Sequence, residues 1–131
     1  MSEEEAAGLL GLDAGSMPAW TQGLLITDSA LPDNPVIFVS RGFTALTGYA
    51  THFVTGRNAR FLQGPGTDRR TVAAMREAVA ERRRFDGDIL NYRRDGRAFW
   101  NRMSLGPLDT PDSRRLFVGL QFDVSDQHRL G

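Results

Sequence analysis

The chain has 131 residues, enough for one domain with a modest core. Lys and Arg number 16 against 16 Asp and Glu, a balance that argues against a nucleic-acid or anionic-membrane binder, which would carry a basic footprint. There is no cysteine, which removes disulfides, thiolate metal sites and thiol nucleophiles together.

The start, Ser2-Glu3-Glu4-Glu5, lacks the basic and apolar regions of a signal peptide. No apolar run is long enough to span a bilayer, so a soluble cytoplasmic protein is expected. Residues Glu3 to Leu12 suit a short helix, broken by Gly15-Ser16-Met17-Pro18. Leu24–Thr27 and Val36–Ser40 read as short strands around the turn residues Leu31 to Pro35. Phe43–Thr47 makes one or two helical turns ending at Gly48. Gly56 to Asp68 is irregular, and Thr67 or Asp68 caps a helix over Arg69–Arg83 that lines up Val72, Met75 and Val79. Three alternating segments follow, Phe85–Arg93, Ala98–Leu108 and Leu116–Asp123, the first two joined by a hairpin at Asp95-Gly96. The expected fold is α+β: one five-stranded antiparallel sheet with helices on one face, plus a short N-terminal helix.

Alternation sorts the late strands by face. Ile89 and Asn91 share a side, as do Phe99, Asn101, Met103 and Leu105, and then Phe117, Gly119 and Gln121. Turned inward, these faces bury three amides among apolar side chains. Each needs a partner or costs a few kcal/mol. That points to a flat, polar guest with alternating donors and acceptors, for which Gly119 leaves room against the sheet. Parity alone leaves open which face is inward, because the opposite face carries Leu90, Tyr92, Trp100, Leu116, Val118, Leu120 and Phe122. Arg60 and Arg76 are either phosphate donors or ordinary solvated arginines.

The run Gly56-Arg57-Asn58-Ala59-Arg60-Phe61-Leu62-Gln63-Gly64-Pro65 resembles the signature of LOV domains, Gly-Arg-Asn-Cys-Arg-Phe-Leu-Gln-Gly-Pro, and departs from it at Ala59 alone. Similarity extends through Ile26-Thr27-Asp28, Pro32-Asp33-Asn34-Pro35, Leu90-Asn91-Tyr92-Arg93, Phe99-Trp100-Asn101 and Phe117-Val118-Gly119-Leu120-Gln121. The resemblance implies the PAS/LOV fold, with a helical cap over 1–22, a flavin-binding core over 23–124 and a C-terminal stub over 125–131. It implies bound FMN. The paired arginines favour FMN over riboflavin, and the lack of a dinucleotide motif disfavours FAD. By matching position, Asn91 and Asn101 hold the pyrimidine edge and Gln121 sits by the ring. Asn58 and Gln63 contact the ribityl chain or ring, with Thr27 and Asn34 lining the site. Arg60 and Arg76 take the phosphate. Leu62, Val72, Met75, Leu105 and Phe117 pack on the ring, beside Ile89, Met103 and Gly119.

Ala59 stands where the family has the cysteine that attacks flavin C4a under blue light. Without any thiol, adduct formation is excluded, and the leading expectation is a photochemically silent, fluorescent Cys-to-Ala variant. Two alternatives stand beside it: a naturally cysteine-less domain signalling through flavin photoreduction, with Tyr92 and Trp100 as candidate donors, and a PAS interaction module without flavin. Gly66 and His52-Phe53 also depart from the family pattern. No enzyme is expected: the two histidines are far apart, and no phosphate loop, nucleophile elbow or dinucleotide fingerprint is present. Arg82-Arg83-Arg84 reads as a solvated helix end. The outer face is too apolar to leave bare. It is expected to be covered by a stripe of Leu9, Leu10 and Leu12 and by a second copy, giving a homodimer. No metal is implied.

Overall fold

The computed structural model describes residues 1–12 and 23–129. Ser2 opens α1 (Glu3–Leu10), its hydroxyl accepting from the Glu5 amide, and three glutamates occupy the first turn, where the helix dipole favours negative charge. Gly11, at φ 70°, closes the helix in the left-handed conformation, so that it ends two residues before the expected Leu12. The break at Gly15 to Pro18 lies outside the described residues.

The remaining elements are β1 (Gly23–Asp28), β2 (Val36–Val39), α2 (Arg41–Thr47), α3 (Thr51–Val54), a 3₁₀ turn (Ala59–Leu62), α4 (Arg69–Ala80), β3 (Phe85–Tyr92), β4 (Ala98–Asp109), β5 (Arg115–Asp123) and α5 (Ser125–Arg129). The strands, α2 and α4 follow in the expected order, whereas α3, the 3₁₀ turn and α5 lie where the sequence assigns no element. Asp68, not Thr67, caps α4 through the Arg70 amide. The Thr67 hydroxyl instead accepts from the Gly64 amide and donates to the Leu90 carbonyl, fastening the preceding loop to β3. Nothing in the sequence pattern signals α5.

The five strands form one antiparallel sheet in the order β2-β1-β5-β4-β3. The first strand thus lies beside the last, and the whole helical segment from α2 to α4 crosses the inner face before β3 begins. A bulge shifts the β1–β2 register, so that Ile26 opposes Phe38 while Thr27 opposes Val36. Ile37 is the extra residue. Val36 and Val39 therefore both join the inner cluster with Leu25, Phe43, Val54 and Leu62, while Phe38 turns outward.

The outer face is more fully covered than expected. Ala6 and Ala7 of α1 are buried against Leu24, Ile26, Phe38 and Leu116, with Leu9 and Leu10 beside them. Leu12, assigned to the same stripe, is 45% exposed. His128 of α5 stacks on Trp100 with centroids 4.0 Å apart. Tyr92, placed by parity on an open face, lies under the Gly64–Gly66 loop and accepts from the Gly66 amide at 2.8 Å. Arg82 corrects the solvated reading of the arginine run: its side chain is 16% exposed, lies over the Phe117 ring and pairs with Asp109.

Candidate functional site

Inner-facing residues of β1, β3 and β4, the turn before β2, the 3₁₀ turn and α4 enclose one cavity of about 510 Å³, well within the range of small-molecule sites. Fourteen of the expected site residues line it: Thr27, Asn34, Asn58, Ala59, Arg60, Leu62, Gln63, Val72, Met75, Arg76, Ile89, Asn91, Met103 and Leu105. Helical spacing brings Val72, Met75 and Arg76 to it from α4, and strand alternation brings Ile89, Asn91, Met103 and Leu105 from the sheet.

Four expected residues, Asn101, Phe117, Gly119 and Gln121, are not among the lining side chains, but each lies against one that is. Asn101 is fully buried and donates its amide to Asn91 Oδ1 at 2.9 Å. Gln121 Nε2 lies 3.4 Å from Met103 Sδ. Phe117 is fully buried under Arg82. The room left by Gly119 is taken by its neighbours. A Cβ there would meet Gln121 Nε2 at 3.2 Å and Leu25 Cδ1 and Met103 Sδ at 3.3 Å. The glycine therefore allows close side-chain packing within the sheet instead of opening space in front of it.

Six lining residues went unassigned: Leu25, Ser29, Leu31, Asp33, Arg69 and Val79. Two had a usable signal. Leu25 shares strand parity with Thr27, and Val79 continues the stripe of Val72 and Met75. The others depend on how the turn before β2 folds over.

Of the two faces that parity leaves open, the amide-bearing one is inward: Asn91, Asn101 and Gln121 are 3%, 0% and 1% exposed. Thr27 Oγ1, Asn34 Oδ1 and Asn101 Oδ1 are buried without a hydrogen-bond partner among the described residues. Because Asn91 Oδ1 is engaged by Asn101, Asn91 offers chiefly its amide N–H, while Asn101 keeps an open acceptor. A buried unpaired polar atom costs about 1–3 kcal/mol, so this donor–acceptor array fits a planar, amide-edged guest such as flavin. Ala59, at the start of the 3₁₀ turn, presents a methyl group.

The rim is charged. Arg60 donates to both oxygens of Asp33, one at 2.7 Å. These hydrogen bonds hold the Asp33 carboxyl below its ordinary range and raise Arg60 correspondingly. Arg69 donates to Gln63 Oε1 at 3.1 Å, and Arg76 completes the edge. A second depression, lined by residues 45–48 and 93–95, contains none of the expected site residues.

A PAS domain profile matches residues 22–126. The chain is 45% identical to phototropin-2 of Oryza sativa subsp. japonica over 105 residues, 79% of this chain and 12% of that protein. It is 47% identical over 103 residues to a blue-light-activated histidine kinase of Brucella ovis, 78% of this chain and 21% of the kinase. It therefore spans about a fifth or less of either relative's length. Among solved structures, the dark state of the blue-light photoreceptor Aureochrome1 LOV superposes with a TM-score of 0.76 at 44% identity, covering 82% of this chain and 78% of that one.

Proposed function

The chain belongs to the PAS domain family, with LOV photoreceptors among its relatives, and on that premise we propose that it is an FMN-binding blue-light sensor domain unable to form a cysteinyl–flavin adduct. The observation that carries this proposal is the cavity itself, in which buried amide and hydroxyl groups of fitting polarity stand opposite an apolar α4 face and Ala59 sits in the wall. The core is taken as 23–124, with 1–22 as a helical cap and the segment 125–131 as an appendage.

When bound, the flavin supplies blue-light absorption and an excited state. Asn91 would hold its pyrimidine edge together with Asn101, which is hydrogen-bonded to it and keeps an open acceptor, with Gln121 ordering that corner. Thr27, Asn34, Asn58 and Gln63 line the ribityl side, and Arg60 and Arg76 receive the phosphate. Leu62, Val72, Met75, Ile89, Met103 and Leu105 exclude water around the ring, with Phe117 and Gly119 as backing. Ala59 offers no nucleophile and the sequence contains no cysteine, so the chain supplies no group for adduct formation, and the absence of that outlet is what favours a fluorescent protein. FMN is preferred to riboflavin because guanidinium groups gather at the rim. The domain acts as a sensor module, not a catalyst. No helix among the described residues is long and apolar enough to cross a membrane. We place the chain in the cytoplasm, as a homodimer through the outer sheet face and α1.

Absorption and emission spectra of the purified, FMN-reconstituted protein test this. Flavin absorption, strong emission and no reversible bleaching are expected. Ala59→Cys should gain a blue-light absorbance loss that recovers in darkness. Protein that takes up no flavin would reject the binding claim, and flavin-loaded Ala59→Cys that never bleaches would reject the role given to position 59.

A further inference from the structure

We infer that Asp33 sets how strongly the cavity discriminates between a phosphorylated and an unphosphorylated flavin, an inference that rests on the flavin proposal above. Three guanidinium groups, Arg60, Arg69 and Arg76, line the same cavity, and Asp33 is the only carboxylate among its described lining residues. The two carboxylate oxygens engage both terminal nitrogens of Arg60. That two-pronged arrangement is the one a phosphate would use on the same donors. Asp33 and an incoming phosphate therefore compete for Arg60.

The competitor is held in place. Asn58 Nδ2 donates to the Asp33 carbonyl at 2.8 Å, and Asn58 Oδ1 accepts from the Arg60 amide at 2.9 Å. One side chain thus ties the turn before β2 to the 3₁₀ turn. Asp33 itself sits in left-handed backbone at φ 67°, followed by Asn34 at φ 48°. The pair is open to solvent, with the Arg60 and Asp33 side chains 56% and 59% exposed. An exposed pair contributes little to folding stability, so its effect falls mainly on what binds beside it. Arg69 donates one N–H to Gln63 Oε1, whereas Arg76 has no hydrogen bond or ion pair among the described residues.

A phosphate monoester carries a charge of about −1.5 to −2 at neutral pH. At Arg60 and Arg76 it finds two cations, with Arg69 in the same cavity, and, in Asp33, one like charge. A riboflavin hydroxyl at the same place is neutral and gains or loses little from either. Asp33 therefore weakens binding of the phosphorylated form selectively.

The test is the ratio of FMN to riboflavin affinity, from equilibrium titration of the flavin-free 131-residue chain with each flavin at low ionic strength. Asp33→Asn removes the charge while keeping a residue that tolerates left-handed backbone. Asp33→Gly tolerates it too and serves if the first variant does not fold. Either should raise the FMN preference about three- to tenfold while leaving riboflavin affinity unchanged. The gain should shrink as salt rises. An unchanged ratio, or parallel loss of both affinities, would overturn the inference and leave Asp33 a structural staple. Wild-type protein that binds neither flavin would instead overturn the flavin proposal, and this inference with it.

Discussion

Gly64 shows how one missing side chain fixes local geometry. A Cβ there would fall 2.3 Å from Tyr92 Cε1, and one at Gly66 would fall 2.8 Å from Leu90 Cδ2 and Tyr92 Oη. The loop can lie on the β3 edge only because both positions are bare. The Tyr92 ring is itself pinned by the Gly66 amide. Gly64→Ala should therefore destabilise the fold by about 1–3 kcal/mol, the usual cost of overpacking, measurable by denaturant unfolding. Replacing Tyr92 by a smaller residue should relieve much of that added cost, and unaltered stability in the single variant would contradict the contact. At Gly66, where the sequence also departs from the family pattern, a Cβ would require the ends of the Leu90 and Tyr92 side chains to shift. His52-Phe53 is the milder departure. The segment still forms α3, and Phe53 stacks on Tyr49 and meets Phe61 edge-on.

Among the elements, α5 shows the clearest dependence on charge. Asp88 on β3 accepts from Arg102 Nε at 2.9 Å and Nη2 at 3.1 Å and lies 2.8 Å from His128 Nε2, while the His128 ring stacks on Trp100. Hydrogen bonds from Arg102, and secondarily from His128, hold the Asp88 carboxyl below its ordinary 3.8. A depressed carboxyl contributes stability above its unfolded value and loses it as pH falls through the folded one. Acidification from about pH 6 to about pH 3 should therefore loosen α5 below the ordinary carboxylate range. The Trp100 indole resonance should shift before the sheet amides do. Asp88→Asn should remove that acid-dependent shift, and its persistence in the variant would place the titrating group elsewhere.

For the whole molecule, the open question is what faces the remaining apolar surface. After α1 and α5 have covered Leu24, Ile26, Leu116 and Trp100, Phe122 is still 44% exposed beside half-buried Val118 and Leu120. That is a smaller surface than strand parity alone implies, because the Gly64–Gly66 loop and α5 remove Tyr92 and Trp100 from it. The proposed homodimer must use what is left. Phe122→Glu should shift the protein toward monomer in sedimentation velocity without loss of secondary structure. A wild-type chain that stays monomeric at high concentration would rule the dimer out.

The amino-acid order by itself determined α1, α2, α4 and the five strands, their sequence, and which late-strand residues share a face, because these follow from local periodicity, caps and turn residues. Asp68, Gly48, Gly11 and the Asp95-Gly96 hairpin act within a few residues of themselves. Only the tertiary structure decided the rest, because the deciding contacts join residues far apart in the chain. Placing β1 beside β5 brings Leu25 against Gly119 and Thr27 beside Phe117. The bulge at Ile37 overrides simple alternation. The Asp33–Arg60 pair, 27 residues apart, and the Asp88–His128 contact, 40 apart, exist only once the turn and the last helix have folded against the sheet. Parity can tell which side chains share a face, but only the folded sheet determines which face is inward and what each side chain meets.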